Sequence, residues 1–207
     1  MLEKVRLESL GLKEPLPEPH YSKPQSRSLT APEQQVLKAL LLKHKPMTIV
    51  EIGVWWGATT RLMGETLPTA KIYAVDIQRR AEAVLPVNAQ FIQANSMLWC
   101  PRALIGKVDF IVVDGCHNYH AVLADTRLAL LLAHRGSVIV WHDVESGPRK
   151  EQLVDDTHYR IFRPTADVWG EREVNLVLAH YPITVKVPVV GTPESAGDMK
   201  LGVCVVE

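Results

Sequence analysis

Two carboxylates and two imidazoles carry the densest chemistry in this chain. Asp114 and His117 close the run Val108-Asp-Phe-Ile-Val-Val-Asp114-Gly-Cys-His117, and His142-Asp143 closes Ser137-Val-Ile-Val-Trp141. Each pair follows an almost wholly apolar segment, and a charge delivered that way into an interior needs a partner. Two arrangements fit these residue types. One is a divalent cation held by Asp114, Asp143 and His142; the other is a hydrogen-bonded acid/base set without metal. His117 stands three residues past Asp114 and suits a general base, because imidazole titrates near neutrality. His120, one helical turn further on, reads as an exposed helix residue.

A second group lies upstream in Val50-Glu51-Ile-Gly53-Val-Trp-Trp-Gly57-Ala-Thr59-Thr60. Glycines at 53 and 57 allow a sharp turn and close approach of a ligand. The helix that follows offers unpaired N–H groups and the Thr59 and Thr60 hydroxyls to an anionic group. The spacing E-x-G-x-x-x-G lacks the third glycine of G-x-G-x-x-G, which disfavours a nicotinamide dinucleotide. Asp76 ends the next apolar run, where a carboxylate suits a grip on ribose hydroxyls. Asn95 and Ser96 fall where an adenine edge would lie, and are equally good helix caps. Trp55 and Trp56 either floor a substrate pocket or fill the core.

The elements that must position these groups alternate. Strands are expected at Met47–Ile52, Lys71–Asp76, Gln90–Gln93, Val108–Asp114 and Ser137–His142, with helices at 57–67, 78–86, 96–105 and 118–134. Before them, Thr30-Ala-Pro-Glu33 forms a capping box for a helix that presents Val36, Leu37, Leu40 and Leu41 and ends near His44. His134 would place a favourable charge at a helix C-terminus. After His142 the rhythm breaks: 145–180 is mixed and polar, with a helix expected near 170–179. Ile183–Val190 and Leu201–Val206 flank the turn-rich stretch 191–197 as an antiparallel hairpin. The expected fold is α/β, a doubly wound, mostly parallel, seven-stranded Rossmann-like sheet with a C-terminal antiparallel hairpin. Residues 1–29, with prolines at 15, 17, 19 and 24, form an arm, and 30–207 form the domain. The arm's leucines are too many for a solvated tail, so it should pack on its own domain or on a second subunit of a homodimer.

Composition narrows the partners. Lys+Arg and Asp+Glu are 23 each in 207 residues, so the electrostatic footprint of nucleic-acid binding is missing. No apolar run approaches the ~20 residues of a membrane span. Met1-Leu-Glu-Lys4 opens no apolar signal segment. Three cysteines without a C-x-x-C pair fit a reducing, cytoplasmic setting.

Taken together, residues from about 47 to 144 resemble the class I S-adenosylmethionine-dependent methyltransferases. Asp114-Gly-x-His117-x-Tyr119-x5-Asp125, followed by Gly136-Ser-Val-Ile-Val-Trp-His142-Asp143, is similar to the small-molecule O-methyltransferases of the macrocin and catechol type. The resemblance implies that Glu51, Gly53, Gly57 and Thr59 surround the methionine end of S-adenosylmethionine. Asp76, with Ile77 beside it, would take the ribose, and Asn95 and Ser96 the adenine. Asp114 would face the cofactor and, with His142 and Asp143, hold Mg²⁺ or Mn²⁺, while His117 stands at the position of the base. The catechol type carries Asp-Asn where this chain has His142-Asp143. The implied reaction is methylation of a small hydroxylated acceptor. A dehydrogenase-like nucleotide enzyme and a non-catalytic cofactor-binding protein are the alternatives.

Overall fold

The computed structural model describes residues 2–19, 29–80, 85–144, 185–189 and 200–206. Its strands are β1 (Leu2–Arg6), β2 (Thr48–Ile52), β3 (Lys71–Asp76), β4 (Ala89–Gln93), β5 (Val108–Val113), β6 (Ala133–Trp141), β7 (Val185–Val189) and β8 (Gly202–Val205). Among the described residues three α-helices join them: α1 (Ala31–His44), α2 (Ala58–Thr66) and α3 (Tyr119–Leu132). They make one eight-stranded sheet in the order β1-β7-β8-β6-β5-β2-β3-β4. Every neighbouring pair is parallel except those made by β8, which runs against both β6 and β7. The expected mostly parallel α/β fold with reversed C-terminal pairing is therefore observed.

The eighth strand is the departure from expectation. Leu2–Arg6 carries none of the arm's prolines and pairs in parallel with β7, Leu2 opposite Val185. A 3-10 turn at Leu7–Leu10 follows, and Leu7, Leu10 and Leu12 are buried in the same core cluster as Leu37 and Leu40 of α1. The first part of the arm thus belongs to the sheet and its core.

Side chains alternate across the sheet with the period of two that β-structure imposes. Ile49, Phe110, Val112, Val138 and Val140 face a cluster with α1 and α2. Val50, Ile111, Val113, Ile139 and Trp141 face the opposite cluster with α3. Both faces of the central strands are covered, which is why their sequences read as nearly unbroken apolar runs.

Three local expectations are not met at the described residues. No helix spans 96–105; instead Asn95 accepts the N–H groups of Leu98 and Trp99 on its carbonyl, and Pro101 interrupts before a short 3-10 turn at Arg102–Leu104. Residues 78–80 and 85–86 are not helical, and 81–84 lie outside the described residues. Helix α3 ends at Leu132, so His134 sits in β6 and pairs with Asp109 at 3.0 Å rather than capping a helix. The helix expected near 170–179 and the turn at 191–197 also lie outside the described residues. Among the described residues, no helix is long and apolar enough to cross a membrane.

The strand order creates the crevice. The chain runs outward through β2, β3 and β4, then returns to lay β5 on the other side of β2. Ligands of open α/β sheets bind beyond the carboxyl ends of strands at such a switch point. The Asp114 N–H donates to the Ile52 carbonyl at 2.8 Å, closing the two strand tips on one another.

Candidate functional site

At the β2 tip, Gly53 has φ +90, and a Cβ there would meet the Asp114 carbonyl oxygen at 2.0 Å. Glycine is needed at 53 because the β5 backbone passes so closely. Gly57, at φ +77, caps α2. Glu51 is 1% exposed and accepts a hydrogen bond from the Thr60 hydroxyl, so Thr60 rather than Thr59 holds it. Burial pushes the Glu51 carboxyl well above its usual range, and the charges of Asp114 and Asp76 push the same way. Thr59 is half-buried in the first turn of α2.

Asp76 reaches back across the crevice to the glycine turn. Its Oδ2 accepts the Val54 and Trp55 N–H groups at 2.9 and 3.0 Å, and its Oδ1 accepts that of Gln78 at 3.0 Å. A carboxylate offers about four acceptor positions, so a further hydroxyl can still bind. Ile77 is 67% exposed beside it. Asn95 is exposed, its Oδ1 taken by the Met97 N–H, and Ser96 hydrogen-bonds Asp125. Burial pushes the Asp125 carboxyl up to about 6. The two tryptophans do not enter either core cluster. Their rings meet edge to face at 6.1 Å, and the Arg80 guanidinium stacks 3.4 Å from the Trp55 ring.

The second group converges at the β5 and β6 tips. His142 Nδ1 lies 3.1 Å from Asp114 Oδ1 and 3.3 Å from Asp143 Oδ2. His117 Nε2 lies 3.4 Å from Asp114 Oδ1 and 3.1 Å from Asp143 Oδ2. One ligand atom from each of the four residues falls within 4.8 Å of the others, close enough together that they could hold a metal ion. His117 and Asp143 are buried, and Asp143 adopts the left-handed conformation at φ +59, uncommon for a residue other than glycine.

The charges in this group balance internally. Burial works against the Asp114 carboxylate, but the two imidazoles, His142 foremost, outweigh it and hold the carboxyl well below its usual range. Burial likewise works against charged imidazoles; here Asp114 outweighs it and raises both His117 and His142, the latter strongly. A divalent cation would take over the role of the two imidazolium protons and release them. His120 stays outside, exposed, with its ring against Tyr119.

One member was missed in the sequence. Glu33 of α1 is 1% exposed, and its Oε2 lies 3.6 Å from His142 Nε2. The same oxygen accepts the Thr30 N–H at 2.7 Å, as the capping box anticipates, while Oε1 accepts the Lys200 N–H at 2.9 Å. The cap explained Glu33 locally, and no spacing signal ties it to residues so far along the chain.

Residues 50–144 match the family described as a methyltransferase domain. No curated protein matches the chain. Among solved structures, it is similar to the O-methyltransferase TomG from Streptomyces achromogenes in complex with SAM. There identity is 19% over 87% of this chain and 82% of that one, with a TM-score of 0.57. It is also similar to the 1,6-didemethyltoxoflavin-N1-methyltransferase of Burkholderia thailandensis, with 15% identity, 92% and 100% coverage and a TM-score of 0.57. The MycE methyltransferase of the mycinamycin pathway matches 47% of this chain at 22% identity and a TM-score of 0.40, and the chain spans only 30% of its length. Residues 50–144 of this chain thus match the methyltransferase-domain family, and the chain shares the α/β fold of TomG and of the 1,6-didemethyltoxoflavin-N1-methyltransferase.

Proposed function

We propose that this protein is an S-adenosylmethionine-dependent methyltransferase that methylates an oxygen of a small hydroxylated molecule in the cytoplasm, assisted by a divalent cation. The observation that carries the cofactor is the sign of the crevice. Glu51, Asp76 and Asp114 place three carboxyl groups around one switch point, and after burial the charges of Asp114 and Asp76 both act on Glu51. Such a crevice complements a ligand with a sulfonium and an ammonium group and repels a dinucleotide's pyrophosphate. Glu51 would face the ammonium and recover its charge there. Gly53, Gly57 and Thr59 would frame the methionine carboxylate at the start of α2. Asp76 would take the ribose hydroxyls, Ile77 the adenine face, and Asn95 and Ser96 its edge.

The sulfonium supplies an activated methyl group, so the protein's part is alignment and removal of the acceptor's proton. Asp114, His142 and Asp143 would hold the cation, with His117 as the fourth group within reach. A cation there would lower the acceptor hydroxyl's pKa. Two imidazoles favour Mn²⁺ or another transition ion over Mg²⁺, which prefers an all-oxygen shell. The 3.1 Å contact of His117 with Asp143 favours a second reading, a metal-free pair in which Asp143 orients His117 as the general base. The catalytic unit is the domain from residue 30 to 207 with its arm. Leu7, Leu10 and Leu12 pack in this chain's own core, so a homodimer would be built on other surfaces.

Thermal unfolding tests the cofactor. S-Adenosylhomocysteine at about 100 times its Kd should raise Tm by roughly 5–10 °C, and NAD should leave it unchanged. A shift with NAD alone would favour the dehydrogenase-like alternative. A shift with S-adenosylhomocysteine but no turnover across a broad acceptor screen would favour a non-catalytic binding protein.

A further inference from the structure

We infer that Glu33 is a positioning residue of the cation site, holding His142 so that its Nδ1 lone pair faces Asp114 and Asp143. The inference rests on the cation-binding reading above. A neutral imidazole carries one N–H and one lone pair. For Nδ1 to ligate, the hydrogen must sit on Nε2, and that nitrogen then needs an acceptor. Among the described residues, the carboxylate facing His142 Nε2 is Glu33, at 3.6 Å.

Glu33 is built into that place rather than drifting there. Thr30 donates to its Oε2 from both backbone N–H and hydroxyl, at 2.7 and 2.9 Å. Lys200 donates its N–H to Oε1, and the Lys200 carbonyl accepts the Val144 N–H at 2.9 Å. One residue therefore ties the carboxylate to the segment just past His142-Asp143. A buried carboxylate with three fixed donors, aimed at the far nitrogen of a ligating histidine, is the arrangement that sets ring orientation and ligand basicity in metal sites.

The test is a Co²⁺ titration of the full chain, followed by calorimetry and by the visible spectrum of the bound ion. Wild type, Glu33→Gln and Glu33→Asp are compared, with Tm of each measured in EDTA. Glutamine removes the charge and has one acceptor oxygen where the carboxylate uses two, so it cannot serve Lys200 on one side and Thr30 with His142 on the other. Glu33→Gln should lower the metal-free Tm by a few degrees, and the folded variant should bind Co²⁺ about 10–100-fold more weakly with a shifted spectrum. Glu33→Asp retains the charge but withdraws it by a methylene, so it should fall between the two; it decides the matter if Glu33→Gln does not fold. Wild-type affinity and spectrum in a folded variant would overturn the role of Glu33 while leaving the cation site standing. No Co²⁺ binding by wild type would overturn the cation reading and this inference together.

Discussion

The two halves of the crevice are assembled in opposite ways. The cofactor half, from Glu51 to Asp76, comes from one strand–turn–helix–strand unit, and its acidic groups are satisfied mainly from within that unit: Thr60 holds Glu51, and the turn's own N–H groups hold Asp76. The proposed cation half is gathered from α1, the tips of β5 and β6, and the approach to β8, and its side chains are satisfied mostly by one another. A unit that satisfies itself locally can be shaped before any ligand arrives. A set of facing charges is balanced by its own protons until a cation replaces them. The first half should therefore tolerate loss of the second, and the shared residue, Asp114, is where that independence can be broken.

Asp114→Asn should produce the largest effect. Co²⁺ binding should disappear and turnover fall at least about 100-fold, because a ligand is removed and not merely its support. S-Adenosylhomocysteine affinity should change by less than about tenfold, since Glu51 and Asp76 remain. Calorimetry of both ligands on the same variant checks this. Collapse of both affinities would show that the halves form a single site.

His117→Ala sharpens the comparison by asking whether the second half is a cation site or an acid/base pair. With the cation saturating, turnover should return to within about tenfold of wild type, because the ion and solvent can deal with the proton. If His117 is instead the base, kcat should stay down by about 10²–10⁴ at any metal concentration. The pH profile gives the sign. A base must be unprotonated, and Asp114 and Asp143 raise His117 above its usual value, so the wild-type rate would climb with pH through a midpoint above about 6.5. In His117→Ala that acidic limb would vanish.

The same contrast explains what could be read from residue order. The strands bearing Glu51, Asp76, Asp114 and His142 were legible because both faces of the sheet are covered and each strand is a compact apolar run. The Gly53–Gly57 turn was legible because a positive φ selects glycine there. What escaped was set by distant neighbours. Glu33 looks like a complete helix cap, and only folding brings it to His142. Leu2–Arg6 reads as part of a proline-rich arm until β7 offers it an edge. The stretch 96–105 has helical length, yet Asn95 and Pro101 settle it as turns. Thr59 and Thr60 are adjacent, and only the orientation of α2 selects Thr60 as the partner of Glu51.

The most direct test of the account is calorimetric titration of S-adenosylmethionine in EDTA, wild type beside Asp76→Ala. Wild type should bind one equivalent without any metal, since the cofactor half is complete in itself. Asp76→Ala should bind more weakly by about 1.5–3 kcal/mol, the range for hydrogen bonds to a charged group, while remaining folded. No heat with wild type, or identical isotherms for the two proteins, would contradict the placement of the cofactor at the β2–β3 tips.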